Sequence, residues 1–221
     1  MDQTQDPEEN PEDFYSYGKR GNMLKLLKVN PEAEKLSPAP DRQITYIVIH
    51  YTGGSTSRPG YAVDISNDLL KTDEEKSVDF IVDDAIAVQF NPDISNRFSW
   101  HCGSGQQKDL PEEETTLPDR CGNKNSIGVE IASSNHKCRV TYEGDPDYYF
   151  TDDVLNNAAV LIKSLMTAYD IDISRVIRHY DVSGKKCPGV AGWYGPENSS
   201  ANWLLFKEKI TAAVLETDQT G

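Results

Sequence analysis

Residues 44–50, ITYIVIH, constrain the fold more than any other stretch of this chain. The run is short, rich in β-branched side chains and apolar at odd and even positions alike. That pattern belongs to a strand buried on both faces, so it predicts a central strand of a sheet. His50 ends the run, and Thr52-Gly53-Gly54-Ser55 turns the chain away.

The other elements fall around this strand. Residues 77–90, SVDFIVDDAIAVQF, predict a hairpin turning at Asp83-Asp84. Residues 125–131, NSIGVEI, alternate: Ile127, Val129 and Ile131 share one face, and Ser126, Gly128 and Glu130 the other. Residues 175–182 predict a further strand. Thr151 is placed to cap a helix with Asp152-Asp153 in its first turn. Val154, Ala158, Leu161, Ile162, Leu165 and Tyr169 then follow helical spacing. A second helix starts near Ser200 and aligns Trp203, Phe206, Ile210 and Val214, and a weaker one runs over 63–70. Strands mixed with helices at these spacings predict a single α/β layered domain over about residues 43–216. Residues 1–42 are rich in Pro, Glu, Asp and Asn and predict an extended arm whose apolar run at 23–29 docks on the domain. Residues 217–221 are a tail, and 103–123 a long acidic loop.

Charge narrows the partners. The net charge of −14 argues against nucleic acid, whose phosphates demand clustered Lys and Arg. No stretch approaches the roughly 18 apolar residues of a membrane helix, so no membrane partner is expected. The acidic, polar N-terminus does not read as a secretory signal. The four cysteines, Cys102, Cys121, Cys138 and Cys187, form no CxxC, which argues against a zinc ribbon or a thioredoxin-like motif. With Cys187 as a metal ligand, the other three allow at most one bridge.

The chemistry centres on residues 179–189, HYDVSGKKCPG. His50, His179 and Cys187 each lie just past the end of a predicted strand, where a rigid scaffold holds a loop residue still. Two imidazoles and a thiolate suit zinc, and three protein ligands plus water is the catalytic count. Lys185 offers a cation for an oxyanion. Glu130, above the small residues Ser126 and Gly128, offers a proton acceptor. Trp100 and His101 offer a cleft wall and a hydrogen-bond donor for substrate. Each residue alone has an ordinary reading too: a structural histidine at a strand end, a solvated lysine or carboxylate, a core tryptophan. No serine sits in a GxSxG setting.

Five segments, YIVIHYTGG, SVDFIVDD, SWHCG, NSIGVEIA and VIRHYDVSGKKCPG, occur in an order that resembles the zinc-dependent N-acetylmuramoyl-L-alanine amidases of type 2, a family related to phage T7 lysozyme and the peptidoglycan recognition proteins. The resemblance covers about residues 43–212. It implies a central mixed β-sheet flanked by helices, with Zn2+ in an open groove at the sheet edge. It implies His50, His179 and Cys187 as zinc ligands, Lys185 and Glu130 as catalytic groups, and His101 near the substrate groove. Val78-Asp79 departs from the family pattern, in which Tyr, Ser or Ala precedes His or Asn. Asp79 is therefore expected to alter hydrogen bonding in the groove, as a substrate contact. The 103–123 loop is expected to line the groove.

The implied activity is hydrolysis of the amide between N-acetylmuramic acid and the L-alanine of the stem peptide. A monomer acting on the bacterial cell wall is expected, with peptidoglycan as its partner. Three alternatives stay open: a non-catalytic peptidoglycan-recognition module, a cysteine hydrolase using Cys187, and a purely structural metal site.

Overall fold

The computed structural model describes residues 14–15, 24–29, 31, 35–104, 117, 119–196 and 200–213. Val214, the tail at 217–221 and most of the acidic loop expected to line the groove lie outside them.

In chain order the strands and helices are β1 (Phe14–Tyr15), β2 (Leu24–Lys28), β3 (Leu36–Pro38), β4 (Tyr46–Tyr51), α1 (Tyr61–Lys71), β5 (Phe80–Val82), β6 (Ile86–Gln89), β7 (Arg97–Ser99), β8 (Ser126–Ile131), β9 (Ser134–Asn135), β10 (Tyr148–Tyr149), α2 (Asp152–Tyr169), β11 (Val176–Arg178), α3 (His179–Ser183) and α4 (Ala201–Ala212). Seven strands form one sheet in the order β1-β2-β6-β5-β8-β4-β11. The sheet is mixed: β4 pairs parallel with both β8 and β11, whereas β5 and β6 form the antiparallel hairpin expected around Asp83-Asp84.

The strand predicted to be central is buried on both faces but sits one place from the sheet's edge, between β8 and the edge strand β11. Tyr46, Ile47, Val48 and Ile49 are all buried to the last per cent. Its odd-numbered isoleucines, Ile47 and Ile49, share a core with Ile127, Val129 and Ile131 of β8. The apolar stripes of α2 and α4 close that core with Val154, Ala158, Ile162, Trp203 and Phe206. The Thr151 hydroxyl accepts the Val154 N–H at 3.2 Å, the expected N-cap. Asp170 ends α2 in a left-handed conformation with its N–H returned to the Met166 carbonyl.

Two local expectations change. The run at 23–29 does dock, but as a sheet member: β2 pairs parallel with β6 from Lys25 opposite Ile86 to Lys28 opposite Gln89. Residues 36–38 pair with β7 as well. Part of the stretch expected as an extended arm is thus built into the domain. The strand expected over 175–182 stops at Arg178, and His179 opens a short helix. Asp181 explains the switch: its carboxylate accepts the Arg178 N–H at 2.8 Å and the Arg178 side chain at 2.9 Å, turning the chain at once. All four cysteines are free; Cys102 and Cys121 are buried and share a hydrogen bond, and Cys138 is exposed.

Candidate metal centre

The alternation that builds the core on one face of the sheet builds the site on the other. On β4, Tyr46, Val48 and His50 point opposite to the isoleucines; on β8, so do Ser126, Gly128 and Glu130. His50 stands directly beside Glu130 in the parallel register. Because Arg178 pairs with Ile49, His179 comes one step beyond, next to His50. The two imidazoles meet edge to face, with ring centroids 4.8 Å apart.

Cys187 returns to this point because the 179–189 stretch folds back on itself. Gly184 takes φ +77°, a left-handed position natural to glycine, and its N–H closes α3 on the Tyr180 carbonyl at 2.8 Å. The Tyr180 N–H in turn donates to the Cys187 carbonyl at 2.8 Å. Arg178, 2 % exposed, anchors the base of the turn through the Trp193 carbonyl and the Ser200 hydroxyl. The Cys187 sulfur then lies 3.6 Å from His50 Nδ1, and one donor atom each from His50, His179 and Cys187 falls within 4.8 Å of the others.

This donor set fits a metal ion. Two imidazoles and a thiolate are what zinc takes, and three protein ligands leave one of its four positions for solvent or substrate. His179 Nδ1 is buried and has no hydrogen-bond partner among the described residues, as a ligand nitrogen would. Burial, with Lys185 adding to it, pushes His179 down to about 3, so its ring is neutral with a lone pair to offer. Burial also holds His50 well below the ordinary histidine range. Burial and the Glu130 carboxylate push the Cys187 thiol up.

The donors lie at the base of an open groove of about 450 Å3. Glu130 and Lys185 both line it. Glu130 Oε2 is buried and unpartnered among the described residues, and burial raises the Glu130 carboxyl to about 8, with Lys185 pulling the other way. Such a carboxyl is poised to exchange a proton near neutrality.

The residues expected to contact substrate divide. Trp100 lines the groove and packs edge to face on Phe98. His101 lines it too, but both ring nitrogens are engaged inside the protein: Nδ1 lies 3.0 Å from His50 Nε2, and Nε2 lies 3.2 Å from the Ser126 hydroxyl. Asp79 is corrected. Its carboxylate is fully buried, accepts the Gly128 N–H at 2.8 Å and the Asn91 amide at 2.7 Å, and pairs with buried Arg42 at 3.9 Å. A buried anion compensated on three sides staples β8 to the hairpin and does not reach the groove.

Sequence reasoning passed over several contributors. Ser126 was noted only as a small residue, although its place two positions from Gly128 and four from Glu130 was the available signal. Tyr51, next to His50, gives the Cys187 sulfur a backbone hydrogen bond. Lys76 and Glu143 line the groove from segments without any motif.

The N-acetylmuramoyl-L-alanine amidase family model matches residues 40–190. The chain is 29 % identical over 143 residues to the amidase CwlH of Bacillus subtilis (strain 168), covering 65 % of this chain and 46 % of that protein. It is 34 % identical over 143 residues to XlyB of the same strain, covering 65 % and 36 %. The chain therefore matches about half or less of the length of these curated relatives. Among solved structures, PlyL superposes with a TM-score of 0.58 at 26 % identity, over 85 % of this chain and 97 % of that one. The catalytic domain of XlyA gives 0.58 at 25 %, over 85 % and 99 %.

Proposed function

The chain belongs to the N-acetylmuramoyl-L-alanine amidase family, and from that premise we propose that it is a zinc-dependent hydrolase of peptidoglycan, cutting the amide between N-acetylmuramic acid and the L-alanine of the stem peptide. The observation that carries this reading is the convergence of His50, His179 and Cys187 within 4.8 Å at the base of the groove. The catalytic unit of this reading is residues 43–216 with β2 added at the far side of the sheet. It acts on the bacterial wall, as a monomer.

His50, His179 and Cys187 would hold the ion, and zinc there would supply Lewis-acid chemistry, lowering the pKa of a water toward about 7 and polarising the scissile carbonyl. Glu130 takes the proton that the attacking water gives up, a role its raised pKa suits. Lys185 faces the carbonyl oxygen as negative charge gathers on it. Glu130 then delivers the proton to the departing amino group of L-alanine, and the carboxylate stays on the muramic acid side. Trp100 forms a wall of the groove against which the substrate packs.

The test is hydrolysis of purified peptidoglycan with and without a chelator, followed by zinc add-back. Release of new amino groups without new reducing ends, abolished by chelation and restored by zinc, is the expected outcome. Binding to the wall without any amine release would instead establish the non-catalytic recognition module.

A further inference from the structure

We propose that His101 is a positioning residue for the metal ligand His50 rather than a substrate contact; the inference rests on the zinc reading above. Its basis is a chain of hydrogen bonds that runs from His50 to the Gly122 carbonyl.

His50 Nδ1 faces Cys187, and His50 Nε2 faces His101 Nδ1 at 3.0 Å. A neutral imidazole carries one ring proton. With the metal on Nδ1, that proton sits on Nε2, so His50 donates and His101 Nδ1 accepts. His101 must then carry its own proton on Nε2, which lies 3.2 Å from the Ser126 oxygen. Ser126 can accept because its hydroxyl proton is committed elsewhere: it donates to the Gly122 carbonyl at 2.7 Å. A backbone carbonyl only accepts, so with the metal on His50 Nδ1 the chain runs His50 → His101 → Ser126 → Gly122, with the Cys102 sulfur alongside at 4.0 Å from His101 Nε2 and 3.6 Å from the Ser126 oxygen.

The same chain excludes the substrate role. Both His101 nitrogens are used inside the protein, and neither is left for a ligand. The backbone of His101 is fixed as well, its N–H donating to the Asn123 side-chain oxygen at 3.1 Å. Gly128 supplies the space beneath the ring. A Cβ at that position would come within 2.6 Å of His101 Cγ and 2.8 Å of its Nδ1. The ring therefore occupies the place that any side chain at position 128 would take.

Two measurements, the second on three variants, test the assignment. In the zinc-loaded protein, nitrogen-15 NMR of the histidine rings is expected to place the protons of both His50 and His101 on Nε2. Competition against a chromogenic chelator is expected to show roughly 10–100-fold weaker zinc binding for His101→Leu, the usual cost of losing such an outer partner. His101→Asn, whose side-chain oxygen stands near the place of Nδ1, is expected to recover most of that affinity. Gly128→Ala, which displaces the ring, is expected to lose it. A substrate contact would raise KM and leave zinc affinity untouched. His101→Leu with wild-type zinc affinity, or a His101 proton found on Nδ1, overturns the proposal, and the NMR arm needs no substitution. Zinc binding without amine release from peptidoglycan would defeat the amidase reading alone. A wild-type protein that takes up no zinc would defeat both.

Discussion

The two faces of the central sheet are made by the same strands and obey opposite rules. Toward α2 and α4, β4 and β8 present Ile47, Ile49, Ile127, Val129 and Ile131, each sealed at 0 % exposure, with the partly buried Tyr51 packed against them at the end of β4. On the other face Tyr46 and Val48 pack in a second apolar cluster with Cys102, Cys121, Ile177 and Val182, Ser126 and Gly128 lie beneath His101, and His50 and Glu130 reach the groove. The first face is selected for volume. The second combines small residues, which clear space, with titratable ones, which fill it at chosen points. Because side chains alternate strictly along a strand, one residue can be exchanged without its neighbour changing face. Stability and chemistry are therefore separable at single-residue resolution in this domain.

Three substitutions probe that separation. His50→Ala has the largest expected effect: no zinc retained by metal analysis and no amine release above background, while the zinc-free protein unfolds near the wild-type midpoint. A large loss of stability in the zinc-free form would mean that the groove face is also structural. Lys185→Ala is next. Removing one group that stabilises developing negative charge costs on the order of 100–1000-fold in kcat, and zinc content should stay at wild type. Full turnover would remove Lys185 from the reaction. Ile49→Ala, one residue from His50 and on the other face, should lower unfolding free energy by about 3 kcal/mol in a denaturant titration. Its kcat at a temperature where the protein remains folded should stay within about twofold of wild type, since one removed methyl cluster behind the sheet leaves the ligands in register.

How much of this was legible in the sequence depended on whether the signal was local. The buried strand, the alternation on residues 126–131 and the Thr151 cap each state their outcome within a few residues, and each appears as read. The three residues that converge at the groove, His50, His179 and Cys187, were legible as residue types at strand ends. Pairing was not. Nothing in LKLLK names β6 as its partner, because main-chain hydrogen bonds are blind to sequence. Asp79 failed for a related reason: a carboxylate in a strand reads as solvated or functional until its distant partners, Arg42 and the Gly128 N–H, are known. The contact of His101 with His50 was not legible either, since the two lie 51 positions apart.

Cys187 and His50 are 137 positions apart yet share one centre. An ion held between them would clasp the first strand of the groove to the last loop and shut a circuit through most of the domain. Anything that binds only the folded chain stabilises it in proportion to the logarithm of its concentration over its dissociation constant. The melting temperature of this domain should thus double as a gauge of free zinc, and the domain starved of metal would be a softer target for proteases.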